Sequence, residues 1–130
     1  MVEEYFTRTS RFWLEDGVVK SRVKEPTTFT AEFVRESVEA MAALTQGEPM
    51  PRLAFMDGVM FVDRAARNMY ADSGLILAMA LVAESHDGQF ISDFASKTTS
   101  VPFPVGIFTT EEEALQWLAE VTTKGSDDEA

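Results

Sequence analysis

The chain has 130 residues, of which 22 are acidic and 11 are basic, so its formal net charge at pH 7 is −11. A chain of this length forms one domain and can fold without disulfides, and it contains no cysteine. The acidic excess disfavours binding to nucleic acid and to anionic membrane surfaces. Neither a secretory signal nor an apolar run of membrane-spanning length is visible, so we expect a cytoplasmic protein without integral membrane association.

The N-terminal part of the chain is predicted to form a β-hairpin. Residues 12–14 and 18–19 are rich in β-forming side chains, and Asp16-Gly17 between them is a strong hairpin signal. Trp13 is expected to pack in or at the rim of the core, with ligand stacking as the alternative. Residues 1–10 show no periodic pattern, and residues 25–29 are interpreted as a linker.

Four helices are predicted from their caps and periodicity. The first lies between Thr30, a favourable N-cap, and Gly47. The second begins after Asp63 and ends at about Tyr70, and the third begins at Ser85 or Asp87. The last covers about residues 111–121 after a capping box, Thr-x-x-Glu, at positions 110–113.

Three short apolar runs alternate with these helices and are predicted to be strands: Leu53–Met56, Leu75–Ala83 and Val105–Phe108. The alternation indicates an α/β fold with a mainly parallel sheet and one antiparallel edge strand from the hairpin. We expect an N-terminal segment over residues 1–10, a single domain over 11–122 and a disordered acidic tail over 123–130.

Ligands of open α/β sheets favour the crevice beyond the carboxyl ends of the strands. The turns that follow the three predicted strands are therefore the places where binding residues are expected. The candidate binding residues in and beside these turns are Asp57, Asp63, Arg64, Arg67, Ser85 and His86.

Arg64 and Arg67 lie one helical turn apart, so the spacing predicts that they project from the same side of their helix. Two guanidinium groups beside a helix N-terminus could hold an anion. The alternative is that Asp63 is only a cap and that both arginines are solvated or paired with carboxylates.

His86 is the only histidine of the sequence. It could act as a general acid or base with Asp57 or Asp63 across the crevice, or it could be an exposed residue at a capped helix start. The sequence contains no recognisable catalytic, phosphate-binding or metal-binding motif. We therefore predict a protein without catalytic residues, metal ligands or cofactors.

The segment around Asp57-Gly58-Val59, Val62 and Asp63 resembles the central motif of STAS domains, the sulfate-transporter and anti-sigma-factor-antagonist family. In regulatory members a motif serine accepts a phosphate from a partner kinase. The two motif serines fall here on Arg64 and Ala65, so this resemblance implies a SpoIIAA-like (STAS) fold whose phosphorylation switch cannot operate.

The chain is also similar to uncharacterised bacterial STAS-like proteins, which are related in fold to lipid-transfer domains of the CRAL-TRIO type. Phe108–Leu118 carries the closing segment of that pattern. The resemblance implies first a non-enzymatic interaction or regulatory module, which binds a partner protein or forms a homodimer.

A second hypothesis is a module that binds a small apolar or anionic ligand, such as a lipid, in the crevice at the helix N-termini. Phe90, Phe94 or Phe108 would line this crevice, and Arg64 or Arg67 would lie at its mouth. An enzyme acting through His86 is the third hypothesis.

Overall fold

A six-stranded sheet forms the centre of the computed structural model, which describes residues 4–83 and 101–129. Its strands, in spatial order, are β1 (Glu4–Phe6), β2 (Ser10–Glu15), β3 (Val18–Val23), β5 (Met50–Phe55), β7 (Ile76–Val82) and β8 (Val105–Phe108). A separate two-stranded sheet contains β4 (Thr27–Phe29) and β6 (Val59–Val62). The helices are α1 (Ala31–Thr45), α2 (Arg64–Asp72) and α3 (Glu111–Glu129).

The neighbouring strands β3, β5, β7 and β8 are parallel, whereas β1, β2 and β3 are joined as antiparallel pairs. The predicted α/β fold with a mainly parallel sheet is therefore confirmed. The sequence missed one edge strand, since β1 lies within residues 1–10. All three β1 residues are exposed, so the alternation of buried and exposed positions that identifies a strand is missing there.

The predicted hairpin is confirmed and consists of β2 and β3. Asp16 and Gly17 both have positive φ values, 53° and 77°, and this is the backbone conformation of the tight turn that matches the twist of a hairpin. Trp13 stacks on Phe55, with ring centroids 6.3 Å apart and an interplanar angle of 12°. It is half-buried, as expected for the rim of the core.

Helices cover both faces of the main sheet, because alternate residues of β5 and β7 point to opposite sides. Ala54, Met79 and Leu81 pack with α1 and α2. Leu53, Phe55 and the alanines of β7 pack with α3 instead. A strand that is buried on both faces needs an apolar sequence throughout, which explains the uninterrupted apolar run that the sequence shows before residue 84.

The small sheet corrects the interpretation of residues 25–29 as a linker. Thr27–Phe29 form β4, which pairs in parallel with β6 directly after the Asp57-Gly58 turn. The backbone N–H of Asp63 donates to the carbonyl oxygen of Phe29 (3.0 Å), so this pairing also positions the start of α2.

Helix boundaries agree with the predicted caps, with two differences. Thr30 is the N-cap of α1, but its side chain makes no capping hydrogen bond. The backbone N–H of Glu113 donates to Oγ1 of Thr110 (3.3 Å), as a capping box requires. The helix that follows is Glu111–Glu129 and is longer than the predicted helix, which ended at about residue 121.

The helix predicted to begin at Ser85 or Asp87, with Phe90 and Phe94, lies outside the described residues. Among the helices that are described, none has the length and apolar character needed to cross a membrane.

Lys20 joins the hairpin to α3. The residue is only 5% exposed, and its Nζ donates to carboxylate oxygens of Glu15 and of Glu111, the latter at 2.8 Å. Burial alone would lower the pKa of Lys20, but the hydrogen bonds to Glu111 and Glu15 outweigh burial and raise it. The hydrogen bond from Lys20 in turn lowers the pKa of Glu15.

We expect Lys20→Met to lower the free energy of unfolding at neutral pH by about 1–3 kcal/mol, because two charge-assisted hydrogen bonds are lost. Since the folded-state pKa of Glu15 is lowered, its contribution is present at neutral pH and is lost as the pH falls through that lowered pKa. The contribution of Lys20 is lost as the pH rises through its raised pKa.

Urea unfolding across a pH series measures this effect. The difference between wild type and Lys20→Met should shrink at both acidic and alkaline pH. Lys24→Met, the same substitution at an exposed lysine, is the control and should change stability by about 0.5 kcal/mol or less. A difference that stays constant over the whole pH range would show that the ion pairs around Lys20 do not stabilise the fold.

Candidate functional site

The Asp57-Gly58 turn separates β5 from β6. Gly58 has φ 92°, a conformation that side chains with a Cβ rarely adopt, and its carbonyl oxygen accepts a hydrogen bond from the N–H of Thr27 (2.8 Å). Asp57 is half-buried in this turn and interacts with other groups of the protein. The turn therefore leads from the main sheet into the small sheet and is hydrogen-bonded to β4.

Asp63 is the N-cap of α2, as the sequence predicts. Its Oδ1 accepts a hydrogen bond from the N–H of Ala66 at 2.8 Å, and Ala66 itself is fully buried. The cap satisfies one of the free N–H groups at the helix start. The carboxylate of Asp63 is thus already engaged in a structural contact.

The two arginines of α2 lie in different environments although they are one turn apart. Arg64 is exposed, next to the exposed Ala65. Arg67 is half-buried, and its Nη1 donates to the carbonyl oxygen of Val62 at 2.7 Å. Arg67 also lines a cavity, whose described lining residues do not include Arg64. The structure thus separates the two arginines that the sequence grouped into one anion site.

Ser85 and His86 lie outside the described residues, so their places as binding residues stay predictions. The strands whose ends were expected to converge are β5, β7 and β8. These strands are parallel neighbours, and their carboxyl ends therefore lie at one edge of the sheet.

The cavity lies between the main sheet and the layer that contains α1, α2 and the small sheet. Its volume is about 70 Å³. Most of its lining is aliphatic or aromatic, and Val59, Met79, Leu81 and Phe103 are examples. Among the described residues, the polar side chains that line it are Ser10, Ser21, Ser37, Arg52, Arg67 and Tyr70.

This cavity differs from the pocket that the sequence predicts. Arg67 lines it, but Phe108 does not lie beside it, because Phe108 packs on Trp117 of α3 at 5.5 Å on the opposite face of the sheet. Phe103 takes the place expected for Phe108. The described cavity thus lies under α2, and Arg64 is not at its mouth.

Arg52 is the lining residue that sequence reasoning missed. It lies on β5, pairs with Val19 and Met79 in the sheet and is 5% exposed. The predicted strand began at Leu53, three residues after the observed start of β5 at Met50, which left Arg52 outside it. The signal that could have identified Arg52 is a single charged residue next to an apolar strand that must be covered on both faces.

The fold places the protein in a class of α/β modules with a known architecture. A similar solved structure is that of an uncharacterized protein from the DUF3478 family with a SpoIIAA-like fold, from Shewanella loihica PV-4. The TM-score is 0.52 at 12% sequence identity, over 88% of this chain and 89% of the other. The SpoIIAA-like fold predicted from the sequence is thereby confirmed.

The chain belongs to the DUF7793 family, a domain of unknown function, whose model matches residues 12–122. No curated protein matches the chain. At the low identity of the solved structure, the likeness shows the fold and nothing about the ligands or partners of this chain.

The capping role of Asp63 is testable by a pair of substitutions. Asp63→Ala removes the acceptor for the N–H of Ala66 and should lower the free energy of unfolding by about 1 kcal/mol. Asp63→Asn keeps an acceptor oxygen and should stay within a few tenths of a kcal/mol of the wild type, since asparagine and aspartate are comparable N-caps. Urea unfolding at neutral pH measures both. Equal losses in the two variants would show that the carboxylate has a role other than capping.

Proposed function

We propose that this protein is a non-enzymatic regulatory module that binds a partner protein at the surface formed by Met60, Phe61 and Arg64, here called the β6–α2 surface. The observation that carries the proposal is the exposure of two adjacent large apolar side chains on β6: Met60 is 64% exposed and Phe61 is 47% exposed. They precede Asp63, the N-cap of α2, and only Val62 lies between Phe61 and the cap.

The position of this surface supports a regulatory role. It coincides with the place where, by the resemblance to STAS domains, regulatory members carry their phosphorylatable serine. Arg64 and Ala65 have no hydroxyl group, so docking at this place would not be controlled by phosphorylation of these positions. The β6–α2 surface is then a permanent docking surface with a fixed positive charge.

The side chains of the surface indicate the chemistry of the partner. Exposed adjacent apolar residues are typical of interaction sites, and methionine, phenylalanine and arginine are enriched in protein interfaces. Arg64 is exposed and takes part in none of the ion pairs found among the described residues. The partner should therefore present an apolar side chain beside a carboxylate.

A different protein is a better occupant than a second copy of this chain. Each copy carries a formal net charge of −11, so two copies repel each other at low ionic strength. The homodimer predicted from the sequence stays a prediction, and the experiment below separates it from a different partner.

Support for a non-enzymatic role comes from the chemistry of the same site. The carboxylate of Asp63 caps a helix, and one guanidinium nitrogen of Arg67 is hydrogen-bonded to a backbone carbonyl. Neither group is a nucleophile or a poised general base in this arrangement. The hypothesis of an enzyme acting through His86 draws no support from the described residues, because His86 is not among them.

Site-specific photo-crosslinking in the native cell tests the proposal. A photoreactive amino acid at position 60 should crosslink to one defined partner. The matched control carries the same photoreactive group at position 6, where Phe6 is 59% exposed on β1. This control should not crosslink to the partner. The purified partner should then bind Met60→Ser/Arg64→Glu at least about tenfold more weakly than wild type, a typical loss for central interface residues.

Thermal unfolding controls for the fold of the double variant, which should keep the wild-type Tm within a few degrees because both side chains are exposed. Crosslinking of position 60 only to a second copy of the chain would replace the proposal by a homodimer. Equal capture at positions 60 and 6, or an unchanged affinity of the double variant, would contradict it.

A further inference from the structure

Arg52 is a buried cation without a negative partner among the described residues. Its Nε and Nη1 atoms are buried and have no hydrogen-bond acceptor there, and no ion pair of the described residues includes it. Its Nη2 donates only to two neutral hydroxyl oxygens at long distances, Oγ of Ser21 (3.3 Å) and the phenol oxygen of Tyr70 (3.4 Å).

Such an arrangement is unfavourable unless something else compensates the charge. A buried lysine or carboxyl group can lose its charge by a shift of its pKa, but arginine stays protonated in proteins. The ring faces of Tyr70 and Phe12, at 4.6 and 5.6 Å from the guanidinium carbon, attract the cation. They accept none of the three N–H groups on Nε and Nη1.

Lys20 provides a comparison within the same protein. Lys20 and Arg52 are both 5% exposed, and they lie on neighbouring strands of the same sheet. Lys20 has two carboxylates around its Nζ, from Glu15 and Glu111. In the part of the chain that the structure describes, no carboxylate takes this role for Arg52, and what Arg52 has beside it instead is a cavity.

The cavity suits an anion with an apolar body. Two guanidinium groups, those of Arg52 and Arg67, are among its described lining, and no aspartate or glutamate is. The rest of the lining is mainly aliphatic and aromatic, with three serine hydroxyls and the phenol of Tyr70. A volume of about 70 Å³ is several times the about 10–15 Å³ that one water molecule needs, so the cavity has room for a small molecule.

We propose that this cavity binds a short aliphatic monocarboxylate whose oxygens accept the N–H groups of Arg52. The carboxylate supplies the negative charge that the described lining does not provide, and charge-assisted hydrogen bonds of this kind are among the strongest in proteins. The hydrocarbon part lies against side chains such as Val59, Met79 and Leu81. This site is separate from the β6–α2 surface, and neither proposal depends on the other.

A matched pair of probes tests the roles of charge and shape. Isovalerate (3-methylbutanoate) and 3-methyl-1-butanol share their branched hydrocarbon part, but only the first carries a charge. Isovalerate should raise the Tm of the wild type progressively with concentration, as expected for a ligand that binds only the folded state. The alcohol should not raise it, and inorganic phosphate, an anion without an apolar body, should not raise it either.

Arg52→Met tests the residue. Methionine retains a long flexible side chain and removes the charge, and such replacements of buried ionic groups are often tolerated. We expect the variant to fold and to bind isovalerate at least tenfold more weakly than the wild type. Arg35→Met, the same substitution at an exposed arginine outside the described lining of the cavity, is the control and should keep the wild-type response.

Nuclear magnetic resonance of the wild type provides a measurement that does not depend on any variant. The Nε–H resonance of Arg52 should shift on titration with isovalerate and should not shift on titration with the alcohol. Equal Tm shifts from acid and alcohol, a full response in Arg52→Met, or phosphate acting as strongly as isovalerate would overturn the proposal. Unchanged Tm and arginine resonances would also overturn it and would indicate a cavity that holds only water.

Discussion

The burial of Arg52 follows from the place of β5 in the sheet. This strand has β3 on one side and β7 on the other, and helices pack against both faces of the sheet. A side chain that points from such a strand enters one of the two interiors of the protein. For Arg52 this is the layer under α1 and α2, and the cavity and its unusual polarity are consequences of that position.

The nine-residue helix α2 connects this interior with the outer surface. Arg67 and Tyr70 lie on its inner side and line the cavity, whereas Arg64 is exposed beside β6. The Asp63 cap and the pairing of β4 with β6 fix where the helix begins. The polar side chains of this segment thus serve as a helix cap, a surface cation and part of the cavity lining.

Local sequence signals identified the elements whose formation depends on neighbours in the chain. The Asp16-Gly17 turn, the Asp63 cap and the capping box at Thr110 each act over a few residues, and the structure contains all three. The strand at residues 105–108 was also predicted with the bounds that the structure shows. Apolar runs bounded by such signals are sufficient to define the order of helices and strands.

The remaining features depend on contacts between distant segments. The pairing of β4 with β6 joins residues about thirty positions apart, and no local signal indicates that these two segments are partners. The i, i+3 spacing of Arg64 and Arg67 fixes their relative direction on the helix, but only the packing of α2 decides which one faces the cavity. Arg52 was missed for the same reason, because its burial requires both neighbouring strands and the helices above them.

A high-resolution crystal structure of the protein soaked with isovalerate tests the central claim most directly, since it shows the atoms around the guanidinium of Arg52. The account predicts that Arg52 remains buried under α2 and that a carboxylate lies within hydrogen-bond distance of its Nε or Nη1. A structure in which Arg52 extends into solvent, pairs with a carboxylate of the protein or is surrounded only by water would contradict the account.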